Sequence, residues 1–456
     1  MSSILWMNLQ VIRALQHYGE IMKMKFVKMG INGEGIGYGD NNIPVFCDGV
    51  FPGEEAEVEI TQKNKTYWRA KVVRMVFRSK ERVRTDYKYA VEEGCPLFEM
   101  KYPAQLAHKK ELLEEALIKY GNVKRTFVRD IHPSPITLGY RSACKLPVQE
   151  DHHLVQTGMY VPGTNHWHVI ERSLIQDPLL EKTRVKILKR VGRSHLHVWD
   201  PKEEKGLRYL VMRCIDDKIQ VTLVTGKDKV HKELIEEIME IKEVQGLFQS
   251  INTDKKTVQI FGSEVRKLAG EDTQSVTMDD IVLQLSPESF FQLNIPQARE
   301  LYHMAVSKID PCDTLVEAYC GIGAMSLMAH AKAKKIYGIE SIPDAVENAA
   351  LNAKNNAIEN AEFLCADAAQ GLDQIAATTK VDTILADPPR SGMDDAMIAS
   401  ILKAAPKKII YVSCNPATLA RNLKELKRKY HVVTVIPYDL FPHTPLVESI
   451  TVLERG

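Results

Sequence analysis

From residue 286 to residue 456 the sequence alternates short apolar runs with helix-forming stretches. Strands that alternate with helices are typical of a doubly wound parallel sheet with helices on both faces. Such a sheet binds ligands outside the carboxyl ends of its strands, so residues that follow each run are candidates for a functional site. The predicted strands are 314–317, 335–339, 361–364, 383–386, 408–412, 432–437 and 447–453.

A chain of 456 residues is too long for one ordinary domain. Residues 22–84 contain short alternating runs between glycine-rich turns, which indicates a five-stranded barrel of the OB type. Residues 85–285 are predicted to form an α+β middle domain, and residues 286–456 a Rossmann-like domain. In the middle domain helices are expected at 106–120 and 229–241, and strands at 140–148, 207–225 and 258–261.

Composition places the chain among globular proteins, with 45% hydrophobic and 26% charged residues. No apolar run reaches transmembrane length, so no membrane partner is expected. Residues 1–20 show no signal-peptide cleavage pattern, so no targeting sequence is expected there. The eight cysteines form no Cys-x-x-Cys pair and no zinc-type cluster with histidine. We therefore expect free thiols in a reducing cytoplasm, and no metal site.

The net charge of +1 gives no nucleic-acid signal, but residues 63–84 are locally basic. They contain nine Lys or Arg residues and one acid, Glu81, with Tyr67 and Trp68 among them. Basic charge interleaved with aromatic rings suits a nucleic-acid backbone and stacked bases. A solvated strand edge that resists aggregation would give the same pattern, so both interpretations remain open.

A glycine-containing turn follows the first strand of the C-terminal domain. Gly321 and Gly323 permit a tight turn that brings the backbone close to a ligand at a helix N-terminus. Glu340 ends the next strand, where a carboxylate can bind ribose hydroxyls, and Asp367 after the third strand could approach an adenine. Ser326 stands where a dinucleotide site would have its third glycine, which favours S-adenosylmethionine over a dinucleotide.

Two further motifs follow the fourth and fifth strands. Asp387 begins Asp-Pro-Pro-Arg, whose prolines stiffen the loop and remove two backbone donors. Cys414 lies in Ser-Cys-Asn-Pro, at the end of an apolar strand. A thiol is the most nucleophilic side chain near neutral pH, although most free cysteines are inert and buried. The neighbouring motifs favour a nucleophilic role for Cys414.

Together these motifs resemble the RNA uracil-C5 methyltransferases, and residues 22–84 resemble the TRAM domain of that family. The resemblance implies that Cys414 is the nucleophile and Glu448 the base. It also implies that Gln292, Tyr319, Glu340 and Asp387 line the cofactor and target pocket. The motifs that carry it are Phe-Phe-Gln-x-Asn at 290–294, Asp-Pro-Pro-Arg at 387–390, Ser-Cys-Asn-Pro at 413–416 and Phe-Pro-His-Thr-x-x-x-Glu at 441–448.

The chemistry of such an enzyme accounts for these residues. Uracil C5 is a poor nucleophile until the Cys414 thiolate adds to C6 and gives C5 carbanion character. After C5 has taken a methyl group from S-adenosylmethionine, Glu448 would remove the C5 proton so that the cysteine is eliminated. Asp387 would hold the ring at N3, and 5-methyluridine would be the product.

One departure from the family concerns an iron–sulfur cluster that many relatives hold with four cysteines. Here Lys101 and Ala104 stand where the second and third cysteines would be, and residues 171–175 contain none. Cys95 alone cannot hold a cluster, so none is expected. The chain thus resembles the cluster-free bacterial branch that methylates 23S rRNA, and we expect a monomer acting on 23S rRNA or a ribosome precursor.

Other functions remain open at this stage. A tRNA 5-methyluridine methyltransferase is one, although the tRNA-specific branch usually lacks a TRAM domain. An adenine amino-methyltransferase is another, but Arg390 occupies the place of its base-clamping aromatic residue. A non-catalytic RNA-binding or ribosome-assembly factor is the third, against which Cys414 and Glu448 argue. Nothing in the sequence indicates which uridine is modified.

Overall fold

The computed structural model describes residues 19–161, 164 and 166–456. Outside the described residues lie 162, 163, 165 and 1–18, and for the last of these no targeting sequence is predicted. The chain divides into two compact units. The first contains the described residues up to Glu115 together with Phe441–Val447, and the second contains Ala116–Leu440 and Glu448–Gly456. No helix in the described ranges combines the length and apolarity needed to cross a membrane.

The first unit contains the predicted β barrel. Its strands are β1 (Ile21–Lys25), β2 (Lys28–Met29), β3 (Gly35–Tyr38), β4 (Pro44–Cys47), β5 (Glu55–Lys63) and β6 (Trp68–Phe77), with a 3₁₀ turn at Asp40–Asn42. They are hydrogen-bonded in the order β1-β5-β6-β4-β3-β2. Only Phe26 and Val27 separate β1 from β2, so these are halves of one bent strand that pairs with β5 and with β3. The sheet therefore closes with five strands.

The basic stretch 63–84 contains two kinds of cation. Four of its nine basic residues pair with carboxylates of the same unit, an arrangement that stabilises neighbouring strands. The pairs are Lys63–Glu20, Lys71–Glu59, Arg74–Glu57 and Arg82–Glu54. The other five are exposed and form no ion pair with any residue of the described ranges: Lys65, Arg69, Arg78, Lys80 and Arg84. These five can bind an anionic partner without breaking an ion pair.

The segment around Cys95 is an apolar core of the first unit. Cys95 is fully buried, and Leu97, Met100 and Ala104 pack with Met29 and Phe51. The segment leads into helix α1 (Tyr102–Gly121). Within the described ranges, no group of three or more His, Cys, Asp or Glu side chains is placed to hold a metal ion.

The central part of the second unit is a seven-stranded sheet in the order β13-β12-β11-β10-β7-β8-β9. Helices α2 (Pro178–Val191) and α3 (Lys232–Met239) bury their apolar faces against it. A separate hairpin pairs β14 with β15, and a 3₁₀ turn lies at Arg125–Phe127. The strands are β7 (Ala143–Asp151), β8 (Leu154–Tyr160), β9 (Trp167–Val169), β10 (Leu207–Ile215), β11 (Lys218–Thr225), β12 (Val244–Ile251), β13 (Val265–Gly270), β14 (Gln274–Met278) and β15 (Ile281–Leu285).

One predicted strand of this region is wrong. Residues 258–261 form no strand, and Val258 is 97% exposed. The Asn252 side-chain amide instead donates to the carbonyl oxygens of Gln259 (2.9 Å) and Ile260 (3.0 Å). Because a side chain takes these acceptors, the segment is held as a loop rather than as a strand.

The C-terminal part of the second unit is the predicted doubly wound sheet, in the order β18-β17-β16-β19-β20-β22-β21. Its first five strands run parallel, and β22 is antiparallel to both neighbours. The strands are β16 (Cys312–Ala318), β17 (Ala333–Glu340), β18 (Ala361–Cys365), β19 (Thr383–Ala386), β20 (Lys408–Ser413), β21 (Tyr430–Tyr438) and β22 (Glu448–Arg455). The helices are α4 (Ile295–Ser307), α5 (Ala324–Met328), α6 (Pro343–Asn355), α7 (Ala368–Ala376), α8 (Asp395–Ala404) and α9 (Pro416–Leu426).

This topology decides where a site can form. The central strand β19 is buried throughout, as expected for a parallel strand that is covered on both faces. The outer edge of β21 is covered by residues 128–132, because the N–H groups of Arg129 and His132 donate to Val435 O and Pro437 O. The order of connections reverses between β16 and β19. The crevice at the carboxyl ends of these strands is therefore the expected binding site.

Candidate active site

The turn after β16 has the backbone of a ligand-binding loop. Tyr319, Gly321 and Gly323 all have positive φ, at 64°, 54° and 79°. A Cβ atom at Gly323 would lie 2.8 Å from the Phe363 ring, whereas one at Gly321 would meet nothing within 4 Å. Gly323 is thus needed for packing, and the backbone at Gly321 faces open space. A non-glycine residue such as Tyr319 in the left-handed region is uncommon and is found mainly at functional sites.

Glu340 is the last residue of β17 and is tied to this turn. Its Oε2 accepts a hydrogen bond from Gly321 N (3.1 Å), and its Oε1 accepts from Ser341 N (2.7 Å) and Ile342 N (3.0 Å). The carboxylate is therefore oriented by three backbone donors at the carboxyl end of its strand. That position is the one predicted for binding ribose hydroxyls.

The site also fits the charge of S-adenosylmethionine, which carries a sulfonium and an ammonium group. Carboxyl groups lie near the carboxyl ends of three adjacent strands: Glu317 is the penultimate residue of β16, Glu340 is the last residue of β17 and Asp387 follows β19. Ser326 donates to Glu317 Oε2 and Gly321 donates to Glu340, so both side chains are held in place. The Glu340 carboxylate beside an open glycine turn is suited to a cationic nucleoside, and the residues present fit this cofactor.

Glu340→Ala is expected to weaken S-adenosylmethionine binding by about 1–3 kcal/mol, the usual cost of losing a charge-assisted hydrogen bond. Isothermal calorimetry on the full chain measures this change. Glu340→Gln, which keeps the acceptor for the backbone donors, should lose less. Glu347→Ala on helix α6 is the control for removal of an exposed carboxylate. Unchanged affinity in Glu340→Ala would exclude the ribose-binding role.

Asp367, predicted to approach an adenine, also caps a helix. It lies two residues beyond the end of β18 and caps helix α7, with its Oδ1 accepting from Ala369 N (3.0 Å) and Gln370 N (3.3 Å). The side chain is exposed. An approach of this carboxylate to an adenine stays a prediction.

The predicted nucleophile and base lie on adjacent antiparallel strands. Ser413 at the end of β20 pairs with Ser449 of β22. Continuing this register by one residue places Cys414 opposite Glu448, and opposed residues of an antiparallel pair project from the same face. Asp387 follows β19, the neighbour of β20 on the other side. The fold thus brings together three side chains from different parts of the sequence: Asp387, Cys414 and Glu448.

Burial raises the pKa of all three groups, and the carboxyl charges add to this rise at Glu448 and at Cys414. Burial raises the pKa of Glu448 to about 8, with a further contribution from the charge of Asp387. Burial also raises the pKa of Asp387 to about 7. Burial, followed by Glu448 and Asp387, raises the pKa of Cys414 to about 12, and the charge of Arg390 opposes this rise. At neutral pH the free protein therefore holds Cys414 as a thiol, with carboxyl groups that titrate near neutrality beside it.

The two motifs around this site are joined by side-chain hydrogen bonds. Asn415 caps helix α9 through Ala417 N (3.0 Å), and its amide donates to Arg390 O (3.2 Å). The Asn422 side chain accepts from Met393 N (3.0 Å) and donates to Met393 O (2.8 Å). The loop that begins at Asp387 is therefore fixed to the helix that follows Cys414. This explains why an asparagine stands directly after the cysteine.

The Phe-Phe-Gln-x-Asn motif lies in the approach to α4. Asn294 is fully buried and caps that helix, and its amide donates to Ser134 Oγ (2.9 Å) and Leu440 O (3.0 Å). Gln292 forms a side-chain hydrogen bond with the phenol of Tyr302. Burial, and then the charges of Asp387, Glu317 and Glu448, raise the pKa of Tyr302. Gln292 is therefore hydrogen-bonded to a phenol on which the charges of Asp387 and Glu448, two of the candidate catalytic groups, act.

His443 of the Phe-Pro-His-Thr motif lies in the first unit, whereas Glu448 begins β22 of the second. Its backbone has a positive φ of 68°, its N–H donates to Gln105 Oε1 (2.8 Å), and its Nδ1 lies 3.1 Å from Gln105 Nε2. Its ring packs on Phe98 with centroids 4.4 Å apart. Both backbone and ring are thus engaged within the first unit.

Three residues of the site were not identified from the sequence. Glu317 is buried with a pKa raised to about 8 by burial, opposed by hydrogen bonds from Ser326. Tyr302 appears in the sequence only as part of the apolar face of a helix. Arg390 was noted in its motif without an electrostatic role. A buried acid inside an otherwise apolar strand was the one signal that could have indicated Glu317.

Glu448→Gln is expected to stabilise the fold at alkaline pH. A carboxyl whose folded pKa is raised contributes stability that is complete below its unfolded pKa near 4.5 and is lost as pH rises through about 8. At about 1.4 kcal/mol per pKa unit, this loss is at most about 5 kcal/mol. Calorimetric Tm values should therefore show a gain for Glu448→Gln at pH 9 and little change at pH 4.5. Equal effects at both pH values would contradict the raised pKa, and the exposed Glu359→Gln is the control.

The chain is similar to known proteins along most of its length. A family model described as tRNA (Uracil-5-)-methyltransferase matches residues 101–456, and a TRAM domain model matches residues 18–73. An uncharacterized RNA methyltransferase of Clostridium tetani is 35% identical over 437 residues, which is 93% of this chain and 94% of that protein. One of Bacillus anthracis is 33% identical over 451 residues, covering 95% and 97%.

A similar fold is known from a solved structure, the Pyrococcus abyssi tRNA (uracil-54, C5)-methyltransferase in complex with S-adenosyl-L-homocysteine. It superimposes with a TM-score of 0.76 at 24% identity, covering 95% of this chain and 100% of that one. At this identity the likeness establishes the fold. The TRAM match identifies the barrel, and the family model that matches residues 101–456 identifies the rest of the chain, including the C-terminal sheet, as a methyltransferase.

Proposed function

The chain belongs to the tRNA (uracil-5-)-methyltransferase family, and we propose that it methylates C5 of uridine in 23S rRNA through covalent addition of Cys414 to C6. It is an RNA methyltransferase that depends on S-adenosylmethionine. The observation that carries the proposal is the pairing of Ser413 with Ser449, which brings Cys414 and Glu448 to neighbouring positions, with Asp387 directly after the adjoining strand β19.

The Cys414 thiol first loses its proton to water, and the resulting thiolate forms the bond to C6 while the electron pair of the C5–C6 double bond moves towards C5 and O4. The pKa of Cys414 is raised overall by burial, and the charge of Arg390 opposes this rise and so favours the thiolate. Asp387 is proposed to bind the N3 side of the ring, and a pKa of about 7 allows it to do so with or without a proton. Burial of these groups strengthens such polar contacts, because less water competes for them.

When bound, S-adenosylmethionine supplies an electrophilic methyl group. The residues proposed to hold it are Gln292, Tyr319, the turn at Gly321 and Gly323, Glu340 and Asp367. Glu448 then removes the C5 proton, the C6–S bond breaks, and the thiolate of Cys414 is restored. A pKa of about 8 suits this step, since a base with a pKa near the working pH can both accept and release the proton.

The class of RNA is the less constrained part of the proposal. The TRAM domain favours rRNA if the tRNA-specific branch lacks one. The Pyrococcus abyssi enzyme, however, is named as a tRNA methyltransferase and aligns over 95% of this chain, which includes part of the barrel. A tRNA uridine is therefore the second candidate substrate. The protein is proposed to act as a monomer on either.

Mapping of 5-methyluridine in rRNA and tRNA from a strain that lacks the gene tests the function. The proposal expects at least one 23S rRNA uridine to lose its methyl group, and complementation with the wild-type chain to restore it. Loss confined to tRNA would replace rRNA with tRNA as the substrate. Unchanged 5-methyluridine in both, together with an inactive purified protein, would refute the proposed activity.

The five exposed cations without ion pairs are expected to bind phosphates. A variant in which alanine replaces all five should show a flatter slope of log affinity against log salt. The slope should fall by roughly 0.7–0.9 for each phosphate that the protein no longer neutralises. The five residues are Lys65, Arg69, Arg78, Lys80 and Arg84. Filter binding of an rRNA fragment between low and moderate salt measures this slope. The matched control removes two ion pairs, with Lys71, Glu59, Arg74 and Glu57 replaced by alanine, and leaves the net charge unchanged. Equal slopes in both variants would exclude this surface.

A further inference from the structure

Arg213 is a buried guanidinium without a carboxylate partner among the described residues. It lies in β10, with 8% of its surface exposed. Its Nε donates to Gln274 Oε1 (2.9 Å), and its Nη2 donates to Gln220 Oε1 (2.8 Å). Burial lowers its pKa to about 10, so it remains a cation at neutral pH. A buried charge of this kind is tolerated only when its donors are satisfied, and here uncharged acceptors satisfy them.

Three further hydrogen bonds of Arg213 lead to the end of β15 and to the loop that follows it. Nη2 donates to Leu285 O (3.2 Å) and Ser286 O (2.8 Å), and Nη1 donates to Ser289 O (3.1 Å). Residues 286–289, named here the serine loop, connect the hairpin strand β15 to Phe290-Phe291-Gln292. One side chain of the central sheet thus holds both ends of the loop that leads to Gln292.

The serine loop is also held from the methyltransferase domain. Ser286 N donates to Ser289 Oγ (3.0 Å), which closes the loop on itself. The Asn348 amide of helix α6 donates to Ser289 Oγ (3.1 Å) and Ser286 Oγ (3.3 Å). The loop is therefore fixed on one side by Arg213 and on the other by the helix that follows Glu340.

We propose that Arg213 is a positioning residue for methyl transfer, acting through the serine loop to hold Gln292 beside the reacting groups. The inference rests on the proposed function, because it assigns Gln292 to the pocket of that reaction. Five donors in a rigid fork can hold a loop at three carbonyl groups, which the single ammonium of a lysine cannot do. A role in stability alone would leave the activity of the folded protein unchanged.

A double-mutant cycle on the full chain separates these roles. Arg213→Gln should lower kcat about 10- to 100-fold, as expected when a reacting group is displaced by about 1 Å, with a smaller effect on KM for RNA. In the Gln292→Ala background the same substitution should cost less than about threefold, since its target is already absent. Arg213→Lys should be intermediate. Effects that multiply in the double variant would overturn the proposal.

Asn348→Ala gives a second route to the same loop if Arg213→Gln does not fold. It should lower kcat, and its effect should also shrink in the Gln292→Ala background. Arg208→Gln is the matched control, because Arg208 lies on the same strand but donates to Asn252 O and Asp254 O of another loop. Its kcat effect should not depend on Gln292. Independence of Asn348→Ala from Gln292 would also count against the proposal.

Fluorine NMR separates failure of this inference from failure of the proposed function. Phe290 is 75% exposed and adjoins the serine loop, so Phe290→Trp in protein labelled with 5-fluorotryptophan reports on the loop without any turnover. Arg213→Gln should narrow and shift this resonance, and Arg208→Gln should leave it unchanged. If the wild type is inactive but the resonance changes in Arg213→Gln, Arg213 positions the loop and the proposed role in uridine methylation is refuted. An unchanged resonance in Arg213→Gln would overturn the inference itself.

Discussion

Cys414→Ala is expected to lower methyl transfer by at least about 1000-fold, because a reaction that requires a covalent adduct has no other route when the nucleophile is absent. Cofactor and RNA binding should persist, since the glycine turn, Glu340 and the barrel are unaltered. Single-turnover transfer of a labelled methyl group to an rRNA fragment measures the loss. Cys312→Ala is the matched control, because Cys312 is also half-buried but lies at the beginning of β16.

Trapping with 5-fluorouridine tests the same assignment from the other direction. A fluorine at C5 cannot be removed as a proton, so the adduct formed by Cys414 should persist through denaturing electrophoresis. An enzyme acting on adenine or a non-catalytic binding protein would give no such adduct. Activity of Cys414→Ala above a few per cent of wild type, or an adduct that still forms in this variant, would exclude Cys414 as the nucleophile.

Glu448→Gln should stop the reaction after methyl transfer. The methyl group can still be transferred to C5. Elimination of Cys414 then requires removal of the C5 proton, which the neutral amide of glutamine cannot perform because it is not a base. The variant should therefore accumulate a methylated RNA–protein adduct that resists denaturant, with turnover reduced by about 10²- to 10⁴-fold. Labelled methyl groups that migrate with the protein on a denaturing gel are the readout.

The control for this experiment is Asp387→Asn, whose proposed role comes before elimination. It should reduce the rate without accumulating the methylated adduct. Normal turnover in Glu448→Gln would assign proton removal to another group. His443, whose backbone and ring are held by Gln105, would then be tested by His443→Gln.

Local sequence patterns predicted much of the C-terminal fold. The alternating strands and helices gave the doubly wound sheet, and each observed strand overlaps its predicted range within a few residues. This succeeds because a parallel strand covered on both faces must be a short apolar run. The strand predicted at 258–261 failed because Asn252 binds the carbonyl oxygens of that segment, and no local pattern encodes such a contact.

The basic charge of residues 63–84 could not be assigned to RNA binding from the sequence, because contacts between distant residues decide which cations are paired. The sequence displays nine cations in one stretch, but pairing between strands decides which of them are neutralised. Arg74 is paired with Glu57 of β5, whereas Arg69 is exposed without an ion pair in the described ranges. Such pairs form between residues that are distant in sequence, so composition alone cannot separate a binding surface from an internally balanced one.

The sequence by itself determined the types of reactive group and their places at strand ends: the glycine turn, Glu340, Asp387 and Cys414. Motifs that bind through backbone turns and strand ends are local, so they can be recognised before the fold is known. Only the tertiary structure decided that β22 returns antiparallel beside β20, which places Glu448 opposite Cys414.

The same holds for the groups that tune and support the site. Burial raises the pKa values of Asp387 and Glu448 towards neutrality, with a further contribution from the charge of Asp387 at Glu448. These effects exist only after folding has removed the carboxyl groups from water. Arg213 gives no local signal, because its acceptors come from three separate segments of the chain. Solvent exclusion and long-range hydrogen bonding arise only when the chain is folded and packed, so no local sequence pattern indicates them.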